Sequence, residues 1–174
     1  RSFGRNVEDL PSLKASVANF ALSCANKLRS QRAVSSSVTV FLYSNRFRDD
    51  LEQYENTDTF YFLTPTSDSL EITKAALQIL QNIYRPGIQY KKTGVVLGRI
   101  SSSDIIQQDL FDSIPNRPQR MELMKTIDSL NHRYGPKTIG LLVEESRERN
   151  WHVKSEFRSP NYLTDINEIL TIKI

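Results

Sequence analysis

The chain has 174 residues, 39% of them hydrophobic, and a formal net charge of +3. That length builds one good core or two small ones, and no stretch approaches the ~18 consecutive apolar residues of a membrane span. A single cysteine, Cys24, leaves neither a disulfide framework nor a zinc site, and it reads as a buried structural thiol. No signal peptide is visible and the first residue is Arg1 rather than Met, so a fragment of something longer is expected. All of the excess positive charge falls in residues 1–105, while residues 106–174 are balanced. It is clustered at Arg1 and Arg5, Arg46 and Arg48, Lys91 and Lys92, and Arg99, which could make a phosphate-binding face.

Residues 1–5 could form a short first strand. Residues 12–30 read as an amphipathic helix: Leu13, Val17, Phe20, Ala21, Cys24 and Leu28 recur at three- and four-residue steps, with Lys14, Lys27 and Arg29 off that stripe. Pro11 suits its start. Residues 37–43 are β-branched and aromatic and predict a strand, as do residues 59–64, with a long polar hairpin connection over 44–58. Pro65 precedes a second helix at about 68–84, where Asp68 and Glu71 have capping-box spacing and Leu70, Leu77, Leu80 and Tyr84 supply the stripe. Pro86-Gly87 stops it, and residues 88–100 read as a strand with Gly94 in its middle.

The order β-α-β-β-α-β predicts an α+β fold of the ferredoxin-like split type, four antiparallel strands with both helices on one face. The other sheet face is left open, and function is expected there. In residues 37–43, Val38, Val40 and Leu42 share one face, and Thr39, Phe41 and Tyr43 the other. In the last strand, alternation puts Lys91 with Val95 and Lys92 with Val96, so the pattern does not select a register; a bulge at Gly94 would re-aim the lysines.

Residues 101–118 form a linker between a first domain at 1–100 and a small α+β module at 119–174. The linker opens with Ser101, Ser102 and Ser103, carries Gln107-Gln108-Asp109-Leu110-Phe111, and ends among Pro115 and Pro118. A polar anchor followed by adjacent Leu and Phe on such a segment either inserts into a pocket of another protein or folds back on its own domain. Residues 118–134 predict a helix with Met121, Met124, Ile127, Leu130 and Asn131 on one side, ended by Gly135-Pro136. Residues 137–144 are strand-like, and the remainder carries Trp151, a Ser159-Pro160-Asn161-Tyr162 turn and short extended pieces.

Catalysis is not expected from these residues. His132 and His152 have no carboxylate or Cys at ligand spacing, and Asp49-Asp50 and Glu144-Glu145 lie in charged runs where adjacent acids point apart. There is no Gly-rich phosphate loop and no nucleophile elbow. A binding fragment without metal or cofactor is the expectation.

A basic split βαβ module, the Gln107-to-Phe111 string and a small tail module, in that order, resemble the C-terminal half of UmuC-type Y-family translesion DNA polymerases. The match covers nearly the whole chain. Arg1-Ser2-Phe3-Gly4-Arg5 is similar to the family's entry into its little-finger domain; Lys27-Leu28-Arg29 and Tyr90-Lys91-Lys92-Thr93-Gly94-Val95 also fit. Gln107-Gln108-Asp109-Leu110-Phe111 falls where the family has its peptide for the sliding clamp, with Gln108 at a position where the family often has Leu. Asp128-Ser129-Leu130-Asn131-His132-Arg133-Tyr134-Gly135, Trp151 and Ser159-Pro160-Asn161-Tyr162 resemble the extension of UmuC relatives.

The resemblance implies a DNA-binding, clamp-tethering fragment of an error-prone polymerase of the SOS response. Its sheet would lie against the primer–template duplex and contact backbone on both strands. The palm, with its catalytic carboxylates and Mg, would lie upstream, so nucleotidyl transfer is not expected here. DNA contacts are expected from Arg1, Ser2, Phe3, Gly4 and Arg5, from Lys91, Lys92 and Thr93, and from Ser44, Asn45 and Arg46; Phe3 could equally serve the core. At the clamp, Gln107 would bond the pocket rim while Leu110 and Phe111 fill it. The tail module could contact a UmuD-type subunit or fold back on the little finger. The implied location is the bacterial cytoplasm, at the nucleoid, with no membrane partner. Two rival readings use the same residues. One is an RRM-type single-strand binder stacking bases on Phe41, Tyr43 and Tyr61, although the RNP1 pattern is absent. The other is a pure protein-interaction module.

Overall fold

The computed structural model describes residues 1–104, 106, 114–144 and 159–161. Four strands, β1 (Ser2–Val7), β2 (Ala33–Ser44), β3 (Glu55–Thr66) and β4 (Tyr90–Ser102), form one antiparallel sheet in the order β1-β4-β2-β3. Helix α1 (Leu10–Ser30) connects β1 to β2, and α2 (Ser69–Ile83) connects β3 to β4. Each of these crossovers spans a strand that lies between its two ends, so both βαβ units are split. The predicted α+β fold of the little-finger type is present, with β4 and β2 at its centre.

The helices start where side chains satisfy the free N–H groups of their first turns. Asp9 caps α1 by accepting from the Ser12 N–H at 2.7 Å, two residues ahead of the predicted start, with Pro11 in the first turn. Asp68 caps α2 through Oδ1, which accepts from the Leu70 and Glu71 N–H groups. Between α2 and β4, Gly87 takes a φ of +85°, and the buried Tyr90 hydroxyl bonds both backbone groups of Arg85. Burial pushes that phenol's pKa above its ordinary value.

Both helices cover one face of the sheet. Leu13, Val17 and Ala21 of α1 and Ile72, Ala76, Ile79 and Leu80 of α2 pack over Val38, Val40 and Leu42. The buried side of α2 is rotated from the expected leucine stripe: Ile72, Ala76, Ile79 and Ile83 face the core, whereas Leu70 is 38% exposed. Cys24 is half-buried rather than enclosed, and desolvation raises its thiol pKa.

Helix α3 (Arg117–Tyr134) lies across this helix layer. Of its expected apolar side only Met124 is buried, while Met121 is 48% exposed. Ion pairs hold it instead. The Arg29 guanidinium donates to both carboxylate oxygens of Asp128 at 2.6 and 2.7 Å, and to the Ser67 carbonyl and Ser69 hydroxyl. Arg120 pairs with Asp68 at 2.6 Å and Arg117 with Glu71 at 3.3 Å. Arg29, assigned by pattern to the solvent side of α1, has a side chain only 13% exposed.

Residues 137–144 are not a strand. They form a loop ending in a 3-10 turn at Leu142–Glu144, with Leu142 84% exposed. The Asn131 side-chain amide pairs with both backbone groups of Ile139, donating to its carbonyl and accepting from its N–H. That side chain supplies at Ile139 what a neighbouring strand would otherwise provide. Gln107, Leu110, Phe111, Glu145, Trp151, His152 and Tyr162 lie outside the described residues.

Candidate nucleic-acid interface

The register leaves Thr39, Phe41 and Tyr43 of β2 on the uncovered side of the sheet, opposite Val96, Gly94 and Lys92 of β4 and Thr59, Thr57 and Glu55 of β3. The irregularity that re-aims the lysines is a bulge at Lys91, not at Gly94: Tyr43 pairs with Lys92 and Ser44 with Tyr90, leaving Lys91 as the extra residue. Lys92 therefore stands on the open face.

Gly94 has a different task. A Cβ added there would lie 2.5 Å from Cζ of Phe41, its direct cross-strand partner, so the glycine lets the Phe41 ring lie low across β4. A Gly94→Ala variant is expected to keep the fold within ~1 kcal/mol, since the clashing atoms are the far end of a side chain. It should lift the ring, seen as shifted Phe41 and Tyr43 aromatic NMR signals with a nearly unchanged melting temperature.

Three aromatic rings on this face carry cations. The Phe41 and Tyr43 centroids are 4.9 Å apart at an interplanar angle of 31°, and Lys92 Nζ lies 5.8 and 5.9 Å from them. Arg46 sits 5.7 Å from the Tyr43 centroid. At the other end of the sheet, Arg99 adopts a φ of +51° and stacks 4.7 Å from the centroid of Tyr61, which is 56% exposed.

The cations differ in what already holds them. Arg46 is paired with Glu55 at 2.6 Å, and Arg48 with Asp50 at 2.6 Å. The hydrogen bond from Arg48 draws the Asp50 carboxyl below the usual carboxylate range. Among the described residues, Arg5, Lys91 and Lys92 have no carboxylate within ion-pair distance. Arg5 lies on the strand next to the two lysines: Ser2 and Val7, on either side of it, pair with Lys92 and Tyr90, with an irregular register between. Arg1 is exposed, its guanidinium 5.5 Å from the Phe20 ring, and its backbone carbonyl accepts from the Thr93 N–H.

Several expected contacts are taken up by the fold. The Phe3 side chain is core, 2% exposed, so its ring is unavailable to a ligand. Thr93 is fully buried and its hydroxyl donates to the Phe41 carbonyl at 2.8 Å. Ser44 is buried, its hydroxyl accepting from the Tyr54 N–H, and Asn45 shapes the hairpin by accepting from the Phe47 N–H. Ser2 is exposed opposite Lys92, and Gly4 is half-buried. The sequence reading passed over Phe47, which is 94% exposed at the hairpin tip between Arg46 and Arg48. An aromatic residue between two arginines in a polar connection was the signal for it.

A split βαβ sheet with one face under two helices and the other carrying unpaired cations and exposed rings defines an α+β module of the little-finger type. The chain belongs to the impB/mucB/samB family, whose C-terminal domain matches residues 1–110. It corresponds to the C-terminal part of a UmuC-type protein. Residues 121–172 match a domain described only as of unknown function, DUF4113. The chain is 33% identical over 173 residues to Protein UmuC of Salmonella typhimurium, covering 99% of this chain and 41% of that protein. Protein ImpB of Salmonella typhimurium and Protein MucB of Escherichia coli are each 33% identical over 169 residues, covering 97% of this chain and 39% of the relative. The chain thus spans about two fifths of the length of these relatives.

Proposed function

We propose that this chain is the DNA-holding and clamp-tethering portion of a translesion DNA polymerase acting in SOS mutagenesis at the bacterial nucleoid. The observation that carries the reading is the cluster of Arg5, Lys91 and Lys92, free of carboxylates among the described residues, beside an uncovered sheet face. Side chains of this kind neutralise phosphates without reading bases, so the primer–template duplex is held with little sequence preference. Ser2 and the Gly4 backbone would add hydrogen bonds at the same edge. Arg1 and Arg46 are secondary contacts, the latter released from Glu55 when a phosphate approaches. Nucleotidyl transfer is assigned to the part of the protein outside these residues. Gln107, Leu110 and Phe111 are assigned to the sliding clamp, and a UmuD-type subunit is the candidate partner of the module that begins with α3.

Titrating a labelled primer–template duplex at two salt concentrations tests the DNA reading. Three phosphate contacts predict a fall in affinity of roughly forty-fold between 50 and 200 mM salt. Lys91→Ala/Lys92→Ala is expected to remove most of the binding. No duplex binding at low salt would sink the proposal and leave the Leu110-Phe111 peptide as a tether.

A further inference from the structure

The open face carries a ring and a cation at each end, with glycine, threonine and valine between. One station is Phe41 and Tyr43 with Lys92 and Arg46; the other is Tyr61 with Arg99. The floor between them is Gly94, Val96, Gly98, Thr39 and Thr59, with Val96 exposed and the two threonine hydroxyls bonded to each other at 2.8 Å. From Lys92 to Arg99 is seven residues of strand, roughly 23 Å at ~3.3 Å per residue, enough for several nucleotides of an extended strand. We propose that this face also binds unpaired nucleic acid, stacking bases at the two aromatic stations while Lys92, Arg46 and Arg99 meet the phosphates.

The argument is chemical. Duplex bases are already stacked on each other and cannot give their faces to protein rings, whereas an unpaired base can. A ligand for these stations needs flat apolar faces and regularly spaced negative charge, and a single strand has both. The geometry is also built rather than incidental. Gly94 clears the space that the Phe41 ring occupies, and Arg99 is held in a left-handed backbone conformation uncommon for a residue with a side chain. Lys92 now rests by two rings, a contact weak enough at an exposed site for the ammonium to turn toward a phosphate as a base takes the ring. The inference rests on the nucleic-acid reading above and shares Lys92 and Arg46 with it; the rings and Arg99 belong to this site alone, and Arg5 and Lys91 to the duplex contacts alone.

The test compares three labelled probes on the whole chain: a thymidine dodecamer, an abasic strand with the same number of phosphates, and a blunt duplex. Tyr43→Leu/Tyr61→Leu removes a ring from each station and keeps every cation; circular dichroism checks that it folds. The thymidine strand is expected to bind at least tenfold tighter than the abasic strand. The double variant should lose roughly thirty-fold on the thymidine strand and stay within about twofold on the duplex. Equal binding of thymidine and abasic strands, or a double variant that binds the thymidine strand like the parent, would overturn the inference. So would displacement of the strand by a carboxylate-rich peptide of equal charge, because cations alone would then select the ligand. Loss of duplex binding in Arg5→Ala/Lys91→Ala with thymidine binding retained separates this site from the duplex contacts.

Discussion

Replacing Asp68, a nearly buried carboxylate, with alanine is expected to destabilise the chain by about 2 kcal/mol, one of the two largest effects of a single change. The carboxylate does two jobs with two oxygens. Oδ1 caps α2 by accepting from the Leu70 and Glu71 N–H groups, and Oδ2 receives the Arg120 guanidinium at 2.6 Å. Loss of an N-cap costs about 1 kcal/mol. The ion pair adds about 1 kcal/mol more, reduced from a fully buried value because the Arg120 side chain is 33% exposed. Because α2 contributes Ile72, Ala76, Ile79 and Leu80 to the core, the damage reaches the whole sheet module. For a chain of this size the melting temperature should fall by about 6 °C. Asp68→Asn keeps an acceptor for the cap and gives up the charge, so it should recover about half of the loss. A drop for Asp68→Asn as large as for Asp68→Ala would mean that the cap contributes nothing.

Much of the fold was legible because its signals are local. Pro11, and Asp68 with Glu71, announce helix starts through the needs of the first turn, and the alternation of Val38, Val40 and Leu42 against Thr39, Phe41 and Tyr43 gives the two faces of β2 directly. Strand order was not legible, because it depends on which strands pair across the crossovers. The bulge at Lys91 was likewise hidden, since Tyr90, Lys91 and Lys92 permit the register to slip at any of several positions and only pairing with both neighbours fixes one. Residues 137–144 misled because Ile139, Leu141, Leu142 and Val143 have strand character, yet they form a loop and a 3-10 turn in which Asn131 ties Ile139 back to α3. At the candidate site, composition pointed to the cations but could not tell a free one from a paired one. Lys91 and Lys92 stand without carboxylates among the described residues, whereas Arg46 and Arg48 are matched by Glu55 and Asp50 from the same hairpin. Phe3 and Thr93 were drawn into the site by their neighbours in sequence, yet alternation sends their side chains to the core.

The same limit hid Arg29, whose replacement gives the second large effect. On a helical wheel it is a solvent-side cation at the end of α1, but α3 covers it, and it becomes the anchor of that helix. Its guanidinium makes a two-pronged pair with Asp128 and also reaches the Ser67 carbonyl and the Ser69 hydroxyl. Helix α3 buries only Met124, so little hydrophobic burial is available to hold it if this pair goes. Arg29→Met, which keeps the apolar stem and removes the charge, is expected to cost the docked state about 2–3 kcal/mol. The loss should be local. The α1–α2–sheet core contains no residue of α3, so the main melting transition should move little, while α3 amides lose protection in hydrogen exchange and trypsin gains access at Lys125 and Arg133. Arg29→Lys restores the charge without the planar fork and should recover only a minor part of the protection. Raising salt should loosen α3 in the parent as well, because Arg120–Asp68 and Arg117–Glu71 share the load and are only partly shielded from solvent. If Arg29→Met instead melts the core together with α3, the ion pair belongs to the folding of the sheet module, and α3 is an integral third helix rather than a docked one.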